Sequence, residues 1–419
     1  MYKWRVTMKN KFFQALNIQN DSDLKAFAKA SGIKVSKLKY YADESIYPHK
    51  KDLDKILSVT GLTELEFQLK VGVFNNKIKE LLASRASEIS QLLCSSSEAT
   101  IKETNNQEEK FEPVFTTSLG ALYQADCIKL MRTLPKESVD LVFADPPFNL
   151  DKDYESGIND KLSKQEYLEW TEEWVLGCID LLKEGGSLFI WNLPLWNTHI
   201  SEILNKHLTF RHWITVDIKY RLPIQNKLYP SHYSLLYYVK GDKPTTFNGE
   251  RRPLEVCRHC GGDIRDYGGY KDKLNINGIN LADVWYDIPP VRHSKYKTRT
   301  SNELPLKLLE RVISMATNEG DVVFDPFGGS GTTYITSEIL GRRWIGCEIG
   351  PVDTIKARFD DIEFHKEVIR HIQKDKNILF SEETKRLREK NNHWLPETLK
   401  INRKKGGNDA EQIEMFSNQ

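Results

Sequence analysis

The chain has 419 residues, 60 basic and 59 acidic side chains for a net charge of +1, 39% hydrophobic content and a mean hydropathy of −0.52. That is room for two or three domains at about 100–200 residues each, with a sizeable core. No apolar run reaches the roughly 18–20 residues of a membrane helix; the nearest, residues 187–196, is interrupted by Asn192 and Pro194. Six scattered cysteines make no disulfide framework, and the N-terminus lacks the apolar core of a secretory signal, so a reducing, nucleoid-associated cytoplasmic location is expected.

Near-neutrality conceals a gradient: residues 1–80 carry 15 Lys/Arg against 9 Asp/Glu, and the remainder 45 against 50. Within 1–80, Leu24, Phe27, Ala28, Ile33, Leu38 and Tyr41 fall at helical spacing, broken at Ser31-Gly32, and a second amphipathic run covers residues 53–69. The spacing predicts a small all-α domain. Ala28, Gly32 and Leu38 match the helix contact, turn and anchor positions of a helix-turn-helix, and the pattern resembles the phage-repressor class. That resemblance implies a helix from about Ser36 entering the major groove, with Lys34, Lys37 and Lys39 near phosphates or base edges. A helical packing module forming a homodimer through the same core is the alternative.

Residues 81–114 turn Ser-, Glu- and Asn-rich and read as a solvated linker. Beyond it, the β-branched run VDLVFA at 139–144 leads into Asp145-Pro146-Pro147-Phe148-Asn149. Proline cannot continue a sheet ladder, so the carboxylate of Asp145 is expected at a strand's carboxyl end, where open α/β sheets hold their ligands. A second short strand, DVVF at 321–324, is followed by Asp325-Pro326-Phe327-Gly328-Gly329-Ser330-Gly331-Thr332-Thr333 and a helical run. A strand, a glycine turn and a helix let the backbone approach a ligand closely.

The two motifs together resemble those of DNA amino-methyltransferases, D/S/N-P-P-Y/F/W and DPFxGSGTT. The resemblance implies S-adenosyl-L-methionine as cofactor and double-stranded DNA as partner. It implies that Asp145 and the carbonyl of Pro146 accept hydrogen bonds from the two N–H groups of an exocyclic amine, that Pro147 completes the motif, and that Phe148 stacks on a base flipped from the helix. Cofactor contacts are implied for Asp325, Phe327, Gly329, Ser330, Gly331 and Thr332. Three further positions join them: Glu348, ending the strand-like WIGCE, for the ribose; Asp126, in an Ala125-Asp126-Cys127 that resembles the family's GDC; and Asn302, in a segment resembling HPTQKPLxLLER. Asp at the first motif position favours N6 of adenine, with N4 of cytosine as the alternative acceptor.

The catalytic motif precedes the cofactor motif by about 180 residues, the circularly permuted order of the beta group. The fold expected is therefore α/β: a Rossmann-like, mostly parallel seven-stranded sheet with one antiparallel strand, plus the N-terminal helical domain. Its parts would be a catalytic half at 115–240, a target-recognition segment at 241–300, a cofactor half at 301–365 and a charged C-terminal tail at 366–419. Arg292, Lys295, Lys297 and Arg299, interleaved with His293 and Tyr296, are expected DNA contacts. Cys257 and Cys260 look like half a zinc ribbon, but four ligands are needed and no second CxxC exists, so no metal is expected. Gln412 to Phe416 resembles the short peptide with which bacterial proteins dock to the replication sliding clamp. A DNA-binding regulator with a vestigial methyltransferase half is the rival from another class.

Overall fold

The computed structural model describes residues 10–97, 110–150, 162–217, 224–226, 228–262, 275–288 and 303–396. The N-terminal part is helical: α1 (Lys11–Ala15), α2 (Asp21–Ser31), α3 (Val35–Asp43), α4 (Lys50–Thr60), α5 (Glu64–Val71), α6 (Asn76–Ser84) and α7 (Ala86–Ser97). Asn20 caps α2 by accepting from the Ser22 and Asp23 amides, and Gly32 ends it at φ 65°, a left-handed conformation suited to glycine. Leu24, Ile33, Leu38, Tyr41, Leu53, Ile56 and Phe67 share one core with Phe12 and Phe13.

The linker expected over 81–114 is corrected at its front, because α6 runs to Ser84 and α7 continues to Ser97. Ile78, Leu82, Ile89 and Leu93 recur at intervals of four, seven and four residues, and the polar composition around them concealed that period.

Next along the chain come β1 (Phe115–Thr116), β2 (Gly120–Gln124), α8 (Cys127–Met131), β3 (Val139–Ala144), α9 (Lys164–Leu181), β4 (Leu182–Asn192), α10 (Pro194–Leu204), β5 (Thr209–Asp217) and β6 (His232–Val239). The short strands β7 (Arg251–Arg252), β8 (Ile279–Asn280) and β9 (Val284–Trp285) follow, then α11 (Leu306–Ala316), β10 (Val322–Asp325), α12 (Thr332–Ile339), β11 (Arg343–Glu348), α13 (Asp353–Asp360), α14 (Ile362–Lys374) and α15 (Glu382–Lys390).

One sheet has the order β1-β2-β11-β10-β3-β4-β6-β5-β9. The seven expected strands form its middle, and within them only β6 runs against its neighbours. The two-residue strands β1 and β9 extend its edges to nine, β1 being antiparallel. Alternation along continuous apolar strands feeds two cores: Val142, Leu188, Ile190 and Leu236 pack under α8, α9 and α10, whereas Leu141, Phe143, Phe189 and Leu235 pack against α11. Chain order reverses between β3, which leads through α9 to β4, and β10, which leads through α12 to β11; there a doubly wound sheet opens a crevice.

The C-terminal tail expected from residue 366 is also corrected, since α14 and α15 carry the fold to residue 390 and beyond. Leu254 donates its amide to the Leu379 carbonyl (2.8 Å), and Asn377 to that of Arg251 (2.9 Å), so residues 377–379 pack on the middle segment. Arg388 is fully buried, its guanidinium 4.5 Å from the Phe380 ring centre and 4.7 Å from that of Trp394. It donates to the Gly261 (2.5 Å) and Gly262 (3.0 Å) carbonyls. A charged composition suggested solvent, yet here a charged side chain is the core. No helix among the described residues is long and apolar enough to cross a membrane.

Candidate active site

Register brings the sequence motifs together. Val323 and Phe324 of β10 lie opposite Leu141 and Val142 of β3, so Asp145 and the glycine loop leave neighbouring strands at the same edge of the sheet. Glu348 ends β11 opposite Gln124 of β2, and Ala125 donates its amide to the Glu348 carbonyl (3.0 Å), which places Asp126 on the adjoining strand end.

The loop after β3 is held from outside. Tyr167 of α9 donates its hydroxyl to the Pro147 carbonyl (2.6 Å) and accepts from the buried Asn192 amide (3.3 Å). Trp196 donates its indole N–H to the Phe148 carbonyl (2.7 Å). Asn149, at φ 54°, exchanges two hydrogen bonds with the Leu162 backbone. Two successive carbonyls, those of Pro147 and Phe148, are thereby committed, while that of Pro146 receives no hydrogen bond among the described residues. Phe148 is half-buried, its ring 5.8 Å from Tyr233, which in turn lies 4.9 Å from Trp191. Burial, reinforced by the charge of Asp145, raises the pKa of the Tyr233 hydroxyl, so it stays protonated.

Asp325 differs from its expected part. Its carboxyl is buried, accepting from the Phe327 amide (2.9 Å) and the Thr333 hydroxyl (2.5 Å), and it therefore shapes the glycine loop from beneath instead of facing a ligand. Burial drives its pKa well above the usual carboxylate value, and the Asp145 and Glu348 charges add to the rise. Tyr334 staples the two strand ends: its hydroxyl donates to the Asp325 carbonyl (3.0 Å), lies 3.1 Å from that of Cys347, and accepts from the Cys347 amide (3.0 Å). Glu348 accepts from the Gly329 (2.7 Å) and Gly350 (2.8 Å) amides, one on each oxygen, leaving one lone pair per oxygen. Gly331 caps α12 at φ 75°, where an added Cβ would meet Ile355 Cγ2 at 2.7 Å. Phe327 packs edge-on to Trp174 (5.2 Å) and beside Trp170 (5.7 Å), both on α9. Asp126 caps α8 through the Lys129 amide (3.0 Å), using one carboxylate oxygen.

The expected DNA contacts divide. Lys37 is engaged within the helical domain: its ammonium pairs with Asp52, which also accepts from the Tyr41 hydroxyl (2.7 Å). α3 turns it toward α4, and its side chain stays half-exposed. Lys39 lies on the exposed side, 3.8 Å from the exposed Asp21 carboxylate. Arg292, Lys295, Lys297, Arg299, His293, Asn302 and residues 412–416 lie outside the described residues. Cys257 and Cys260 are exposed free thiols on a turn closed by the Gly261 amide on the Cys257 carbonyl (2.7 Å). Among the described residues, no three His, Cys, Asp or Glu side chains are grouped to hold a metal.

Tyr167, Trp196, Tyr233, Tyr334 and Arg358 carry the site's supports without having been picked out in the sequence. Their partners lie 9 to 85 positions away, and none stands in a motif whose spacing reveals them.

A doubly wound sheet with an acidic Pro-Pro-aromatic loop beside a glycine loop at its switch point defines a transferase of the methyltransferase class. Residues 139–357 match the N6/N4 DNA methylase model, and the chain belongs to that family. It is 49% identical to the Type II methyltransferase M.BamHI of Bacillus amyloliquefaciens, over 91% of this chain and 90% of that one, too much of the chain to leave out the helical N-terminal module. It is 32% identical to M.HpaI of Haemophilus parainfluenzae (56% and 73% covered) and 31% identical to the DNA adenine methyltransferase YhdJ of Escherichia coli strain K12 (56% and 80%). The cofactor is S-adenosylmethionine. The residues fit it: two carboxylates at adjoining strand ends suit hydroxyl and amine donors, and Glu348 keeps a lone pair on each oxygen beside the glycine loop.

Proposed function

We propose that the chain methylates an exocyclic amino group at a specific site in double-stranded DNA, at N6 of adenine in the reading that Asp145 favours. The observation that carries this is the adjacency of Asp145-Pro146 and the glycine loop at neighbouring strand ends. Bound S-adenosylmethionine supplies a sulfonium-activated methyl group. The Asp145 carboxylate and the Pro146 carbonyl would accept hydrogen bonds from the two amine N–H groups, which turns the nitrogen lone pair toward the donor. As the nitrogen–carbon bond forms, the carbon–sulfur bond would break, S-adenosylhomocysteine would leave and one amine proton would pass to solvent; holding both reactants in line supplies the rate. Phe148, backed by Tyr233, is the platform on which the extruded base stacks, offsetting part of the unstacking cost of a few kcal/mol.

Glu348 and Asp126 would hold the ribose hydroxyls and the adenine end of the cofactor, and Ser330 and Gly331 its methionine end. Phe327 would wall the pocket from α9. N4 of cytosine offers the same two protons to the same acceptors; the aspartate at position 145 and the likeness to a protein called an adenine methyltransferase support adenine. Likeness to Type II methyltransferases supports a role in protecting sites from a cognate restriction enzyme. The α2–α3 pair, with Lys34 and Lys39 outward, is our candidate for a second DNA contact.

Nucleoside mass spectrometry combined with single-molecule sequencing of DNA from expressing cells tests the reading. N6-methyladenine within one short sequence is expected. N4-methylcytosine would overturn the choice of acceptor alone, and unmodified DNA would overturn the activity.

A further inference from the structure

Thr332, the first residue of α12, is a junction between three segments distant in sequence. Its hydroxyl donates to the Leu304 carbonyl (3.2 Å) and accepts from the Arg358 guanidinium (3.0 Å), and the Ser330 hydroxyl lies 3.2 Å away. Arg358, on α13, also forms an ion pair with Glu303; their side chains are 1% and 5% exposed, so the pair is shielded from water. One residue turn earlier on α13, Ile355 is the side chain that closes against Gly331. A single helix thus presses on the glycine loop with an apolar group and ties it to residues 303–304 with a charged one.

A hydroxyl has one proton. With that of Thr332 directed to Leu304, the contact with Ser330 has Ser330 as donor, which leaves the lone pairs of the Ser330 oxygen able to accept. Lone pairs suit an ammonium group and do not suit a carboxylate.

We propose that Arg358 and Glu303 are positioning residues for the amino-acid end of the cofactor. Through Thr332 they fix the orientation of Ser330 as an acceptor for the α-ammonium group, and neither touches the cofactor. This rests on the reading of the glycine loop as the cofactor site. The adenosine end is held by other strand ends, at Glu348 and Asp126, and does not depend on the pair.

The test is equilibrium binding of S-adenosylhomocysteine, which has the amino-acid end, and of 5′-methylthioadenosine, which lacks it, to the full chain. Arg358→Gln and Thr332→Val are expected to weaken S-adenosylhomocysteine roughly tenfold while changing 5′-methylthioadenosine less than about twofold; Thr332→Ser, which keeps the hydroxyl, restores the wild-type value. Equal weakening of both ligands by Thr332→Val, or no change in either, would overturn the proposal. If Arg358→Gln does not fold, Thr332→Val, which keeps the side chain's shape and removes its hydroxyl, decides. Failure of the wild-type chain to bind either ligand would instead sink the cofactor-site reading itself.

Discussion

The Tyr167 hydroxyl reaches from α9 to the Pro147 carbonyl at 2.6 Å, so the helix that packs Trp170 and Trp174 on Phe327 of the glycine loop also anchors the loop after β3. Tyr167→Phe removes the hydroxyl that donates to the Pro147 carbonyl and accepts from the Asn192 amide, a loss of about 1–3 kcal/mol in stability. It should slow transfer as well, because Pro146 and Asp145 stand just before the anchored carbonyl. A fall in kcat of roughly tenfold with an unchanged KM for S-adenosylmethionine is expected from steady-state kinetics.

Asp145→Ala should abolish methyl transfer and leave S-adenosylhomocysteine binding intact by calorimetry. Measurable turnover in this variant would remove the assigned role of the carboxylate.

Gly331 occupies a left-handed conformation with Ile355 behind it, so any side chain is strained and obstructed there. Gly331→Ala should weaken S-adenosylhomocysteine about tenfold and Gly331→Leu should eliminate detectable binding, while the helical N-terminal domain keeps its protection in hydrogen exchange.

In the N-terminal domain, the two lysines of α3 should behave differently. Lys37→Ala breaks the pair with Asp52 and should loosen α3 and α4 in hydrogen exchange. Lys39→Ala and Lys34→Ala should lower DNA affinity and reduce the slope of log K against log salt by about one each. The carboxyl of Asp52 is held below the usual aspartate value by Lys37 and then by Tyr41. A depressed folded-state pKa contributes stability above the ordinary aspartate pKa that is lost as pH falls through the folded value. Protection of α3 amides should therefore fade on acidification in the wild type, and Asp52→Asn should remove that dependence.

Arg388→Ala withdraws the donors of the Gly261 and Gly262 carbonyls and the cation between two aromatic rings. A loss of about 3–5 kcal/mol of local stability is expected. Limited proteolysis should then cut near residues 257–262, with S-adenosylhomocysteine still bound.

Local chemistry is what the linear sequence records. Asp145-Pro146-Pro147-Phe148 and the Gly328–Gly331 turn occupy consecutive positions directly after β3 and β10, so residue identity along the chain was enough to place them at neighbouring strand ends. The permuted sheet was implied by the resemblance of the two motifs, in their order along the chain, to those of the beta group.

Burial and pairing between distant segments were decided only by the tertiary structure. Asp325 reads as a ligand and lies beneath the loop; Lys37 reads as a phosphate contact and neutralises Asp52. Residues 366–419 read as a charged tail, yet Arg388 reaches back 126 positions to complete the middle segment. The physical reason is common to all three: the free energy of a charged group depends on what displaces its water, and that neighbour is chosen by the fold.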